Sequence, residues 1–170
     1  MLIAVVSDTH LLGKPVPEHV MGAIEGADLI LHAGDILEMA VIEQLSEVAQ
    51  TIAVKGNMDQ GDAARVLPAK RVLEIESFRI GLTHGYGPPS RITWKVGALF
   101  TGVDCVVFGH THRPLIKERN GVLFFNPGSP TDRMFAKRNT VGFLDITDRI
   151  EPRIVDVRTP DEEDRSQWKM

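Results

Sequence analysis

The chain has 170 residues, of which 43% are hydrophobic and 25% charged, a composition typical of one globular domain with its own core. Its formal net charge of −4 disfavours binding to long nucleic acid, which requires a basic face. A single cysteine, Cys105, excludes an intramolecular disulfide and with it the disulfide-stapled secreted folds.

The apolar run at the N-terminus, Met1 to Val6, is too short for a signal peptide and has no basic segment before it. No later apolar stretch reaches the length of a membrane span. We therefore predict a cytoplasmic protein without a membrane partner.

The first half of the chain alternates apolar strands with helical segments. Strands are predicted over Leu2 to Val6, Leu29 to His32 and Thr51 to Val54, with helices over Glu18 to Glu25 and Met39 to Val48. Residues 57 to 66 have the composition of a polar loop.

The second half is rich in predicted strands. A hairpin, Arg71 to Ile75 with Phe78 to Thr83, precedes a Gly-Pro loop and a helix that we expect to begin at Ser90 as N-cap and to end at Phe100. The later strands are Cys105 to Phe108, Leu115 to Glu118, Val122 to Phe125, Val141 to Ile146 and Ile154 to Val157.

This order of elements predicts an α/β (α+β) fold in which two sheets pack face to face with helices outside, in one domain over residues 1–158. An open parallel sheet is the alternative. Residues 159–170 are expected to form a charged C-terminal tail.

Side chains that can bind a metal follow five of these strands at the point where each strand ends. They are Asp8 and His10, Asp35, Asn57, His84, and His110 with His112. Because functional groups of α/β sheets gather outside the carboxyl ends of strands, we expect these side chains to converge. The remaining histidines, His19 and His32, are expected to be structural, with His32 near enough to Asp35 to support it.

The seven side chains comprise two carboxylates, one amide and four imidazoles, without a thiolate. Such a set favours manganese, iron, cobalt, nickel or zinc in a mixed oxygen–nitrogen site over a cysteine-bound structural zinc. Seven ligands are too many for one ion, whereas two ions that share a carboxylate would use them all. Two ions about 3.5–4 Å apart can bind the attacking and leaving oxygens of an in-line displacement at phosphorus.

The series Asp8-Thr9-His10, Gly34-Asp35, Gly56-Asn57, His84-Gly85 and Gly109-His110-Thr111-His112 resembles the motifs of the calcineurin-like metallophosphoesterase superfamily. The short chain and the turn Asn126-Pro127-Gly128-Ser129 are similar to its small, single-domain YfcE-type phosphodiesterase branch. The resemblance implies the metallophosphoesterase fold, a β-sandwich flanked by helices, and hydrolysis of a small phosphodiester.

The same resemblance implies roles for the seven residues and a cofactor of two divalent ions, with manganese expected first. Asp8, His10 and His112 would hold one ion, Asn57, His84 and His110 the other, and Asp35 would bridge them. Asp35, Asn57 and His84 would be catalytic, and a hydroxide bridging the metals would attack phosphorus in line. Family members of this size often form dimers, so a homodimer or higher homo-oligomer is also expected.

One position departs from the superfamily pattern, in which a histidine that assists the leaving group often follows the Gly-Asn pair. Here that residue is Met58, which cannot donate a proton. We therefore hypothesise a preference for phosphodiesters with good leaving groups.

Cationic side chains near the motifs are candidates for substrate contact, with solvated surface charge as the alternative for each. They are Arg113, Arg91 and Arg133, together with Lys95.

A second reading of the chain is a non-catalytic metal-binding scaffold for a protein partner. A subunit of the eukaryotic retromer complex has a similar fold and a degraded metal site. No ligand position is missing here, which favours the enzyme.

Overall fold

The computed structural model describes residues 1–134 and 136–158, so the predicted tail over residues 159–170 lies outside the described residues. The strands are β1 Leu2–Val6, β2 Leu29–His32, β3 Thr51–Ala53, β4 Lys70–Ile75, β5 Phe78–Thr83, β6 Cys105–Val107, β7 Leu115–Arg119, β8 Val122–Asn126, β9 Thr140–Ile146 and β10 Ile150–Asp156. The helices are α1 Glu18–Ala23, α2 Met39–Leu45, α3 Gly61–Val66 and α4 Ile92–Gly97, and a 3₁₀ turn covers Pro89–Arg91.

The strands form two mixed sheets of five strands each. Sheet A has the order β10-β9-β1-β2-β3, with β1, β2 and β3 parallel to one another. Sheet B has the order β4-β5-β6-β8-β7, with β5, β6 and β8 parallel. The prediction of two sheets is thus confirmed, and the alternative of one open parallel sheet is wrong.

Alternation along the strands assigns each apolar side chain to one of two layers. In β1, Ile3 and Val5 enter the core between the sheets, where Leu82 and Val107 of sheet B belong to the same cluster. The intervening Ala4 and Val6 belong to a second cluster, on the helical side of sheet A, with residues of α1 and α2. A third cluster contains Ile92 and Val96 of α4, which therefore covers the outer face of sheet B. The result is a helix–sheet–sheet–helix sandwich.

Three local predictions were wrong, each for a physical reason. The segment taken as a polar loop contains α3, whose six residues bury only Ala63 and therefore give no helical periodicity. Ser90 is not an N-cap, because it lies inside the 3₁₀ turn that precedes α4. Strand β10 begins at Ile150, four residues earlier than predicted, and includes Pro152, which an edge strand tolerates because one side of it needs no backbone donor.

In the described ranges no helix is long and apolar enough to cross a membrane. Cys105 is fully buried in the core between the sheets, as predicted from its apolar surroundings.

Candidate metal centre

The side chains that follow β1, β2, β3, β5 and β6 meet at one edge of the sandwich, as the sequence predicts. Sheet A contributes Asp8, His10, Asp35 and Asn57, and sheet B contributes His84, His110 and His112. In each of the seven side chains, an oxygen or nitrogen that could bind a metal lies within 4.0 Å of such an atom in another of the seven.

One end of the cluster consists of Asp8, His10 and His112. His112 Nε2 lies 3.3 Å from Asp8 Oδ1 and 3.2 Å from His10 Nε2. His10 Nε2 lies 4.0 Å from Asp8 Oδ1, so one ligand atom from each of the three side chains could face a single cation.

The other end is centred on the Asn57 side-chain oxygen. His84 Nε2 lies 3.1 Å from Asn57 Oδ1, and His110 Nδ1 lies 3.0 Å from the same oxygen.

The two carboxylates lie between these ends. Asp35 Oδ2 is 3.6 Å from His10 Nε2 and 3.3 Å from His84 Nε2, so Asp35 faces both groups of ligands. Asp8 Oδ1 also approaches both groups, since it lies 3.9 Å from His84 Nε2. Both side chains are almost fully buried, and burying two carboxylates is costly unless a cation compensates their charge.

The hydrogen bonds of His84 test whether a cation fits here. Its Nδ1 lies 2.7 Å from the carbonyl oxygen of Ala33, which only accepts, so Nδ1 carries the proton. In the neutral ring Nε2 then carries a lone pair and is itself an acceptor. It faces two other acceptors, the side-chain oxygens of Asp35 and Asn57. Burial acts to lower the pKa of His84, but the hydrogen bond and charge of Asp35, together with the charge of Asp8, outweigh it and raise that pKa. Either a second proton on the ring or a bound cation reconciles the three acceptors, and this set of oxygen and nitrogen ligands fits a divalent metal.

His112 repeats this arrangement at the other end. Its Nδ1 donates to Asp132 Oδ2 at 2.5 Å, which leaves the Nε2 lone pair facing Asp8 Oδ1. Burial acts to lower the pKa of His112, but the hydrogen bonds and charges of Asp8 and Asp132 outweigh it and raise that pKa to about 9. The raised pKa shows that the surroundings of His112 favour a positive charge on the ring. A metal ion bound at Nε2 could supply that charge in place of a proton.

The backbone adopts an unusual conformation at the ligands. Among the described residues, eight non-glycine residues have a positive φ, and two of them, Glu76 and Asn120, occupy hairpin turns. Five of the remaining six are candidate ligands: Asp8, His10, Asp35, His110 and His112. Left-handed backbone at non-glycine residues is strained and persists where the surrounding structure enforces it, typically at functional sites.

Glycines beside the ligands allow the loops to approach one another closely. A Cβ atom on Gly56 would collide with Asp35 Oδ1, and one on Gly109 would lie 2.7 Å from Asp8 Oδ2. These glycines are therefore required by the packing of the loops around the two carboxylates.

Asp59, which sequence reasoning did not assign a role, fixes the two loops on the sheet A side. Its buried carboxylate accepts hydrogen bonds from the backbone N–H groups of Asp35, Ile36, Leu37 and Gly56, at 2.7 to 3.1 Å. The Gly34-Asp35 and Gly56-Asn57 motifs are thus tied together through one side chain. Its only sequence signal is its position two residues after Asn57.

The turn after β8 supports the remaining loops. The Asn126 amide donates to the carbonyl oxygen of Gly109 at 2.7 Å. The Ser129 hydroxyl donates to the carbonyl oxygen of Asp8 at 2.7 Å. Asp132, the partner of His112, follows this turn and was also missed from the sequence.

His32 supports the site from behind, as predicted. Its Nδ1 accepts from the backbone N–H of Gly34 at 3.2 Å, and its Nε2 then donates to the Thr9 hydroxyl at 3.2 Å. Complete burial lowers the pKa of His32 to about 4, so the ring is neutral. It therefore links the loops that carry the two carboxylates.

Two clefts adjoin the cluster and share no lining residue. The larger, about 550 Å³, begins at His10 and His112, and a smaller cleft of about 420 Å³ begins at Asn57 and His84. Half of the Tyr86 side chain is exposed in the wall of the smaller cleft.

The predicted substrate-binding cations occupy different places. Arg133 lines the larger cleft, whereas Arg91 and Arg113 are exposed and line neither cleft. Lys95 places its Nζ 4.4 Å from the centre of the Tyr86 ring. The side chain of Met58 is about half exposed, and its backbone N–H donates to Asp35 Oδ1 at 2.8 Å.

Comparison with known proteins gives consistent findings. Residues 1–149 match the model of the calcineurin-like phosphoesterase superfamily domain. The chain is 35% identical over 162 residues to a probable metallophosphoesterase of Methanocaldococcus jannaschii, an alignment that covers 92% of this chain and 82% of the relative. It is 32% identical over 169 residues to the phosphodiesterase YfcE of Escherichia coli K12, covering 85% and 88% of the two chains.

Among solved structures, the zinc complex of wild-type Vps29 from Entamoeba histolytica is similar with a TM-score of 0.71 at 24% identity. This similarity covers 93% of this chain and all of the other, and it establishes a common fold.

Proposed function

The chain belongs to the calcineurin-like phosphoesterase superfamily, and from this premise we propose that it is a metal-dependent phosphodiesterase with a dinuclear metal centre. The observation that carries the proposal is the convergence of seven donor side chains in which lone pairs face carboxylate and amide oxygens. A cluster of this kind is stable only around positive charge, and two ions need about this many ligands.

In this proposal the ligands divide as the two ends of the cluster suggest. Asp8, His10 and His112 hold one ion, and Asn57, His84 and His110 hold the other. Asp35 is assigned the bridging position because its Oδ2 faces His10 and His84 within 3.6 Å. Manganese is the first candidate for both sites, and iron, cobalt, nickel and zinc suit the same donors.

Bound divalent ions supply Lewis-acid charge and lower the pKa of water far enough to make hydroxide available near neutral pH. The chain's residues provide the setting for this chemistry. His84 and His112 are held in one tautomer by Ala33 and Asp132, so that their Nε2 atoms stay directed into the cluster. Burial of Asp8 and Asp35 keeps bulk water away from the carboxylates that orient the reacting groups.

Three observations support a diester rather than a monoester as the substrate. A diester carries a group on each side of the phosphate, and separate clefts adjoin the two ends of the cluster. Met58 stands at the position after the Gly-Asn pair and cannot protonate a poor leaving group. The relative from Escherichia coli is itself named a phosphodiesterase.

The alternative function is a metal-binding scaffold for a protein partner, and the fold shared with Vps29 is compatible with it. The Vps29 structure was determined with zinc, so metal binding alone does not separate a scaffold from an enzyme. Turnover does separate them.

The test compares hydrolysis of bis-p-nitrophenyl phosphate with that of p-nitrophenyl phosphate, using metal-stripped protein with and without manganese. We expect manganese to restore cleavage of the diester in preference to the monoester, and Asp35→Asn to abolish it. Asp62→Asn, at an exposed site on α3, is the matched control and should retain activity. Folded, metal-loaded protein that cleaves neither ester with any of the five metals would favour the scaffold.

A further inference from the structure

The larger cleft is lined mostly by residues that are not candidate metal ligands. Its lining combines the ligands His10 and His112 with residues from two other parts of the chain, around Lys14 to His19 and around Pro130 to Met134. A volume of about 550 Å³ falls within the range of pockets that bind small ligands.

The charge of this lining is positive although the whole chain carries −4. Lys14 and Arg133 contribute two cations, and His19 adds an imidazole that can donate a hydrogen bond. Among the described residues of the lining, Asp132 is the one acid. Its carboxylate already accepts from His112 Nδ1 and from the backbone N–H groups of Met134 and Ala136. The cleft is therefore a local positive region on an acidic protein, which attracts and selects anions.

The cleft is also held in shape before any ligand binds. Pro15, Pro17 and Pro130 restrict the backbone of its walls. The Thr131 hydroxyl donates to the carbonyl oxygen of Thr9 at 2.6 Å, which joins two segments of the chain that line the cleft. A preformed site loses less conformational entropy on binding than a mobile one.

We infer that this cleft is a subsite for a second anionic group on one ester arm of the substrate. The substrate class is then a phosphodiester in which one esterified group carries a further phosphate or carboxylate. The scissile phosphate would face the metal ligands while the second anion contacts Lys14 and Arg133, whose guanidinium can bind two oxygens at once. This inference rests on the proposed function and assigns His19, expected from sequence to be structural, to the wall of the subsite.

A matched pair of substrates isolates the contribution of the second anion. Thymidine 5′-(p-nitrophenyl phosphate) has a neutral 3′-hydroxyl, and its 3′-phosphorylated counterpart differs only in the added phosphate. Both release the same leaving group, so the ratio of their kcat/KM values reports recognition of the arm. We expect the 3′-phosphorylated diester to be preferred roughly tenfold, the size expected of two charge-assisted contacts at a partly exposed site.

Variants and a binding measurement complete the test. Lys14→Gln and Arg133→Gln should each reduce the preference, and together they should bring it near unity, while Lys117→Gln on the exposed strand β7 should leave it unchanged. Calorimetry should show that thymidine 3′,5′-bisphosphate binds the metal-loaded protein more tightly than thymidine 5′-monophosphate, and that the double variant loses this difference.

Equal kcat/KM values for the two diesters in the wild type would contradict the subsite inference but not the proposed phosphodiesterase activity. A preference that persists in the double variant would have the same meaning. If neither diester is cleaved, the proposed phosphodiesterase activity is wrong, and the subsite inference, which rests on that activity, is wrong as well.

Discussion

The two sheets contribute chemically different halves of the candidate centre. Sheet A contributes all three oxygen donors, Asp8, Asp35 and Asn57, whereas three of the four imidazoles come from sheet B. The negative charge therefore lies on one side of the interface between the sheets and most of the neutral nitrogen donors on the other. A cation bound between them would join both halves, so the site depends on the packing of the whole sandwich.

The supports of the two halves differ in the same way. The loops of sheet A are held by acceptors for their backbone N–H groups, chiefly the carboxylate of Asp59. Two of the three imidazoles of sheet B are held by acceptors for their Nδ1 protons, namely Ala33 O for His84 and Asp132 for His112. Removing one support should therefore damage its own half first.

The largest effect is expected from Asp59→Ala, which removes the acceptor of four buried or partly buried N–H groups. We expect the free energy of unfolding to fall by about 3–5 kcal/mol and diester hydrolysis to fall by two orders of magnitude or more. Denaturant titration and steady-state kinetics check the two expectations. Asp62→Ala, three residues away and exposed, should change stability by less than about 0.5 kcal/mol, and equal losses in both variants would remove Asp59 from its assigned role.

Altering the support on the sheet B side should have a smaller effect, chiefly on metal binding. Asp132→Asn keeps an acceptor for His112 Nδ1 but removes its negative charge. We expect metal affinity or activity to fall by about 10–100-fold. Stability should fall less than in Asp59→Ala, because asparagine keeps one of the two acceptor oxygens. Manganese titration of the variant, with exposed Asp148→Asn as control, measures the change. An affinity indistinguishable from the control would mean that Asp132 does not orient the ligand.

The preference between monoesters and diesters should change when Met58, which departs from the superfamily pattern, is replaced by histidine. Met58→His introduces a proton donor next to Asn57, and general acids typically contribute 10²- to 10⁴-fold when correctly placed. Because this histidine would be unoptimised, we expect only about a tenfold rise in the ratio of monoester to diester hydrolysis. An unchanged ratio in a stable, metal-binding variant would argue against the role given to Met58.

The smallest effect concerns the interface between the sheets rather than the site. Burial, with a further contribution from Asp104, raises the pKa of the Cys105 thiol and keeps it protonated. We therefore expect no reaction with a thiol reagent at pH 8 in the folded protein and complete reaction after unfolding. Rapid labelling of the folded chain would show that the sheets separate readily, which would weaken the dependence of the site on their packing.

The strand ends explain how much of the fold and site could be predicted. Asp8, Asp35, Asn57, His84 and His110 each follow a short apolar run, and the parallel strands of each sheet bring such positions to one edge. The convergence of the motifs was therefore predictable from alternation and spacing alone.

The supports were not predictable in this way, because their roles depend on contacts between distant loops. Asp59 and Asp132 stand in polar segments where an aspartate is usually solvated, and only the folded chain shows that each is bound by neighbouring donors. Helix α3 was missed because one turn with a single buried residue carries no periodic signal. His19 lies on α1 as expected, but no local pattern indicates that it faces a cleft.

The central claim is that the ligands from the two sheets together bind two metal ions. The number of metal ions bound per chain tests this claim most directly. Equilibrium dialysis of metal-stripped protein against manganese, followed by elemental analysis, should give two ions per chain for the wild type and for Asp62→Asn. The same measurement on Asp35→Asn should give one ion or none, because the residue that faces both ends is altered. At most one ion in the wild type, or two ions undiminished in Asp35→Asn, would contradict the account.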